Sequence, residues 1–321
     1  MKLVITIDTE EDNWGVYTRS GHTLENIGRI PGLQQIFDEF RVKPTYLVTY
    51  AVATDPTSVS ILKKIFDEGK CDIGTHCHPW NTPPFSPVEE EQTEWNSMLC
   101  NLPSELQFNK IRSLHEAIRR HFGLEPICFR SGRWGYNGET ARSLERLGYK
   151  IESSVLPYTD WTNESGPNFS EQTPKPYRFS PDGIFVESES GPLLQVPATV
   201  GYLQSNFKRS NQIFNLLLKE PTKRLRLLGL LDRLELLNKI WLSPENSSGK
   251  EMIKLARRML KNQYPVINMF FHSPSLKAGL SPFVKTGDDE RRFLRVIREF
   301  LAFVREEGIE SIKLSQMIDN P

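Results

Sequence analysis

Four short segments place chemically capable side chains directly after apolar runs. The first reads Thr6-Ile7-Asp8-Thr9-Glu10-Glu11-Asp12, a strand-like run that enters a group of carboxylates. Acidic side chains at a strand end are costly unless they are paired, metal-bound or catalytic. On an extended strand Asp8 and Glu10 point the same way, so two carboxylates can address one site; the competing reading is a solvated acidic loop. The second segment reads Asp72-Ile73-Gly74-Thr75-His76-Cys77-His78-Pro79-Trp80. Neutral imidazole is the commonest metal ligand, and a His-x-His pair closing an apolar strand can bring two ring nitrogens to one ion. The chain has only 6 histidines, which favours a metal over two unrelated loop residues. The third segment is Phe129-Arg130-Ser131-Gly132-Arg133-Trp134-Gly135-Tyr136-Asn137. Its guanidinium at Arg130 can hold a carboxylate ionised in a forked pair, and Gly132 and Gly135 let backbone approach a ligand. The fourth, Asn268-Met269-Phe270-Phe271-His272-Ser273-Pro274-Ser275-Leu276, ends a strongly apolar strand in one histidine. A lone histidine there is ordinarily packing, but His272 shares a sheet end with Asp8, His76 and Arg130, and its natural pKa suits a general acid. Trp80 and Trp134 lie inside these segments and are expected to line a substrate pocket.

The elements that must position these residues follow from periodicity. Short β-branched runs alternate with helical patterns, the signature of a parallel sheet or barrel with crossover helices. Strands are expected at Leu3 to Asp8, Thr45 to Tyr50, Asp72 to His76, Ile127 to Ser131, Tyr149 to Val155, Val266 to His272 and Glu310 to Leu314. Helices are expected around Pro31 to Phe40, Val59 to Glu68, Glu105 to Phe122, Glu139 to Leu147 and Asp288 to Glu307. About seven strands imply an α/β, incomplete or distorted (β/α) barrel, with any eighth strand inside Ile184 to Tyr202. The chain is read as one catalytic domain over residues 1–321. Pro157 to Gly183 reads as a long loop that could wall a pocket. Residues 208–262 are Leu-rich and basic, including Arg224-Leu225-Arg226, and read as a helical insertion: a packed helical pair or, alternatively, a lid or a surface that touches lipid-linked substrate through weak membrane-surface contact.

Composition narrows the partners. The 40 basic and 40 acidic residues cancel, so nothing advertises nucleic acid. No run approaches the ~18 apolar residues of a membrane span, and the apolar stretch at the N-terminus is too short for a signal-peptide core. A cytoplasmic enzyme is therefore expected, with its 4 cysteines reduced.

Taken together and in this order, the four segments resemble the NodB-like polysaccharide deacetylases, carbohydrate esterase family four. The resemblance covers nearly the whole chain. It implies that Asp8 is the catalytic base, that Glu10, His76 and His78 hold a divalent ion, zinc by preference, that Arg130 orients the base and that His272 is the acid. Asp160 and Trp161 loosely match the family's acetyl-pocket motif. The usual family pattern has adjacent aspartates and histidines three residues apart, whereas this chain has Asp-x-Glu and His-x-His, so Glu11 or Asp12 is an alternative ligand to Glu10. The implied substrate is an N-acetylated amino-sugar glycan or its lipid- or nucleotide-linked precursor. A related amidohydrolase opening a small cyclic amide or ureide is the rival within hydrolases, and a glycan-binding protein with a decayed site is the rival outside them.

Overall fold

The computed structural model describes residues 1–12, 14–86, 93–219 and 227–319. Seven parallel strands form a curled half-barrel in the order β10 (Val266–His272), β1 (Lys2–Thr9), β2 (Thr45–Val48), β3 (Asp72–Cys77), β4 (Cys128–Ser131), β5 (Ile151–Glu152) and β7 (Leu193–Gln195). β6 (Tyr177–Phe179) extends the β7 edge antiparallel, and β11 (Glu310–Ser311) pairs with the start of β1. The sheet does not close as a ladder. Single bonds tie the β10 edge to the segments after β7 and β9 (Lys239–Trp241): Thr199 N–H donates to the Asn268 carbonyl at 3.1 Å, and Phe270 N–H donates to the Leu242 carbonyl at 3.1 Å.

The expected strands and helices are present with shifted ends. The helices are α1 (Ile30–Phe40), α3 (Pro56–Asp67), α4 (Ser104–Phe122), α5 (Gly138–Arg146) and α9 (Gly287–Glu306), with a short α2 (Tyr50–Thr54) before α3. β1 is buried on both faces from Leu3 to Thr9, as a central parallel strand must be. Its inward positions read Val4, Thr6, Asp8, and the same grading recurs across the sheet. Val4, Leu47, Cys128, Ile151, Leu194 and Val266 form an apolar floor with Leu314 and Met317 of the C-terminal turn. One step up the strands the buried inward residues become Thr6, Thr49, Arg130, Ser153 and Asn268. The floor is tight enough that a Cβ at Gly74 would lie 2.6 Å from Leu47 Cδ2 and 3.0 Å from the Cys128 carbonyl. Chemistry is thus confined to the C-terminal end of the strands, where β/α folds assemble their sites.

The stretch read as a helical insertion is not wholly helical. It holds α6 (Phe207–Leu218), α7 (Leu227–Arg233) and α8 (Gly249–Lys261), but between them β9 (Lys239–Trp241) pairs antiparallel with β8 (Val200–Tyr202). α8 begins in a reciprocal Ser248–Glu251 capping box and buries Met252, Leu255 and Met259, so it is a packed crossover helix. Leu216, Leu230 and Leu234 of the first two helices and their flank are exposed. Arg224, Leu225 and Arg226 lie outside the described residues. Among the described residues no helix is long and apolar enough to cross a membrane.

Candidate metal and catalytic site

The four segments meet at one pocket of about 320 Å³ above the polar layer. In-register pairing explains the meeting: Asp8 sits opposite His272 across β1 and β10, and His76 sits opposite Arg130 across β3 and β4.

Glu10, His76 and His78 form one buried cluster whose ligand atoms all lie within 4.8 Å of one another. Glu10 Oε2 is 3.3 Å from His76 Nε2 and 3.2 Å from His78 Nε2. The partners of the other ring nitrogens fix the tautomers. His76 Nδ1 lies 3.2 Å from the Arg130 carbonyl, and His78 Nδ1 lies 2.6 Å from Glu11 Oε1. Both are pure acceptors, so both Nδ1 atoms carry hydrogen, and the two Nε2 atoms are left facing the Glu10 carboxylate. Such a donor set is satisfied by a cation or by protons. Without a cation, burial disfavours the charged imidazole, but Glu11 and Glu10 outweigh it and push His78 up to about 10. A divalent ion bound here would displace protons, so its affinity would rise with pH.

The alternatives to Glu10 have other work. Glu11 accepts from His78, from Asn81 Nδ2 at 2.7 Å and from Thr49 Oγ1 at 3.1 Å, so it orients the His78 ring from behind the cluster. Asp12 turns away and accepts from the Glu25 and Asn26 amides and the Thr23 hydroxyl, ordering the turn at 25–29. Gly132 is needed because a Cβ there would lie 2.5 Å from His78 Cδ2; the close approach is to a protein imidazole, not to a ligand.

Asp8 is buried beside the cluster. Its Oδ1 accepts from Arg130 Nη1 at 2.7 Å, while Oδ2 is 3.9 Å from His76 Nε2 and 3.6 Å from His272 Nε2. The contact with Arg130 is single, not the forked pair expected. The guanidinium's other donors go to the Ser153 carbonyl and hydroxyl and to Thr6 Oγ1, which in turn donates to Asn268 Oδ1. Burial pushes the Asp8 carboxyl up, but Arg130, then His76 and His272, hold it below the usual range. Glu10 is likewise held low against its burial by hydrogen bonds from His76 and His78.

His272 is held by Glu245, which sequence reasoning missed. The Glu245 carboxylate accepts from His272 N–H at 3.0 Å, from Nδ1 at 2.9 Å and from Ser275 Oγ at 2.5 Å. Burial alone lowers the imidazole pKa, but Glu245, then Glu10 and Asp8, raise it to about 9.

No protein-family model and no curated protein matches the sequence. Among solved structures, a candidate polysaccharide deacetylase from Mycobacterium smegmatis superposes over 99% of this chain and 90% of its own, with a TM-score of 0.56 at 15% identity. The fold is that of the NodB-like polysaccharide deacetylases. A 4-alpha-glucanotransferase from Thermococcus litoralis matches over 100% of this chain and 40% of its own, with a TM-score of 0.55 at 14% identity. One deacetylase-like scaffold thus supports more than one chemistry, and the site must decide which.

The remaining expected residues divide. Trp80 stacks on His78 with ring centroids 4.1 Å apart, and Trp134 and Trp161 line the pocket. Asp160 is not brought there: it is exposed, and its carboxylate accepts from the Thr162 amide in a local turn. Trp14, Tyr17 and Trp241 line the pocket without having been singled out. Behind Trp80, buried Lys110 donates to the carbonyls of Pro79, Thr82 and Pro84 and so holds the loop that carries His78.

Proposed function

We propose that this protein is a metal-dependent hydrolase that removes the N-acetyl group from an amino sugar. One observation carries the reading: a two-histidine, one-carboxylate donor set flanked by an ionised carboxylate and a protonated histidine, all facing one aromatic pocket. Environments that push Asp8 down and His272 up are those that assign a base and an acid at neutral pH.

Glu10, His76 and His78 would hold a divalent ion, zinc by the match to two imidazoles and a carboxylate, which would supply polarisation of the acetyl carbonyl and a more acidic water molecule. Asp8 accepts the water's proton at Oδ2, the oxygen that Arg130 leaves free. Arg130 keeps that carboxylate ionised and fixes its rotamer through Oδ1. His272 delivers a proton from Nε2 to the departing amine, and Glu245 holds the ring and stabilises its charged form. Acetate and a free amino sugar result. The indole walls limit the entry of other water.

Glycosyl transfer is a poorer fit. It needs a carboxylic acid that stays protonated to assist the leaving group, yet both carboxylates nearest the pocket floor, Asp8 and Glu10, are held low. The cyclic amide rival is separated by product. Purified, zinc-loaded protein incubated with N-acetylated glycans, nucleotide-linked N-acetyl sugars and cyclic amides should release acetate from an N-acetyl sugar. Ring-opened product without acetate would replace this reading with the rival.

A further inference from the structure

The pocket rim can be followed through a closed circuit of contacts. The Arg133 guanidinium lies over the Tyr17 ring at 4.9 Å and pairs with Glu94 at 2.9 Å and Glu164 at 3.4 Å. These contacts tie the loop after β1 to the loop after β4 and to the turn at 162–164. Trp161, beside that turn, meets Trp241 of β9 edge-on at 6.5 Å. Four residues on, Glu245 bonds His272 and Ser275 and carries the rim to the loop after β10. From that loop Phe283 meets Trp14 edge-on at 5.3 Å, and Trp14 returns to Tyr17 along one loop.

An internal unit of a polymer needs two gaps in such a rim, one for each neighbouring sugar. A terminal unit needs only the mouth. The volume of about 320 Å³ lies at the small end of ligand pockets and suits one acetamido sugar ring. Five of the chain's 6 tryptophans, at 14, 80, 134, 161 and 241, line it and offer flat apolar faces. Arg133, the guanidinium that lines it, is committed to two carboxylates, and His272, the charged imidazole there, is bonded to Glu245, so no lining guanidinium or ammonium among the described residues is left to receive a phosphate.

We infer that the site accepts a single uncharged N-acetylated amino sugar, free or at the end of a chain, and not an internal unit of a polysaccharide. This rests on the deacetylase reading for its chemistry but not for its geometry, so binding and turnover are measured separately. The probes are β-1,4-linked N-acetylglucosamine oligosaccharides from the disaccharide to the hexasaccharide, with zinc-loaded protein. Binding is followed by pocket tryptophan fluorescence, and the deacetylated ring is located by tandem mass spectrometry. Affinity should change by less than about twofold with chain length, because added rings lie outside the mouth, and acetate should leave only one terminal ring. Arg133→Ala, which unties Tyr17 from Glu94 and Glu164, should raise internal over terminal deacetylation roughly tenfold. Acetate from internal rings in the unmodified protein, affinity climbing with every ring, or no binding at all would overturn the inference. Length-independent binding without acetate release would support end recognition and retire the deacetylase chemistry.

Discussion

Asp8→Asn should leave the ion in place and lower kcat by about two to four orders of magnitude, the span associated with loss of a general base. Asparagine keeps the shape and an oxygen for Arg130 but cannot accept a proton at Oδ2. The ligand atoms of Glu10, His76 and His78 are untouched by the change. Stability should fall as well, because the fully buried Arg130 loses its charged partner and is left with neutral acceptors alone, the amide oxygen, Ser153 and Thr6. An uncompensated buried charge costs on the order of 3–5 kcal/mol, so the assay belongs at a temperature where circular dichroism shows the variant folded. Glu10→Ala should give the reverse pattern, with weakened metal affinity. Metal analysis beside kinetics separates the two; an Asp8→Asn protein that loses its ion while Glu10→Ala keeps it would exchange the two roles.

The second large effect belongs to His272 and its partner. Glu245 is the principal reason the His272 pKa stands at about 9, so Glu245→Gln must lower it. The acid works while protonated, so activity is lost as pH rises through this pKa, and the variant's basic limb should move to lower pH. Loss of activity should therefore be larger at pH 8 than at pH 6, in a profile that titrates as a coupled system. His272→Ala should slow acetamide cleavage about 10²- to 10⁴-fold. An activated ester, whose leaving group needs little protonation, should keep most of its rate. Equal slowing of both substrates at unchanged metal content would make His272 a positioning or packing residue instead.

The difference between His272 and Glu245 shows what a chain reveals about itself. His272 was visible because it ends Val266–His272, an apolar run long enough to declare a strand, and because the other three segments end the same way. Glu245 lies 27 positions earlier, in a segment whose Leu-rich pattern reads as helix, and only the antiparallel pairing of β8 with β9 swings it over the site. β6, β7, β8 and β9 span three residues each, too few for a period of two to register. Alternation along β1 brought Asp8 and Glu10 to one side, but the strand ends at Thr9. Beyond it only the folded loop separates Glu10 at the cluster, Glu11 behind His78 and Asp12 at its turn. Asp160 fails for the converse reason: its neighbour Trp161 reaches the pocket, while its own carboxylate caps the next turn. The parallel core was legible because burial on both faces leaves long apolar runs, whereas the partners that tune the site came from elsewhere in the chain.

The proposed mechanism has one requirement, an ion at Glu10, His76 and His78. Its most direct test is to titrate metal-free protein with zinc at fixed N-acetyl sugar while recording acetate release and bound metal together. Acetate release should rise linearly and level off at about one ion per chain, and the His76→Ala, His78→Ala double variant, still folded, should bind no ion and release no acetate. Undiminished acetate release from metal-free protein, or equal metal content in the double variant and the unmodified chain, would contradict it.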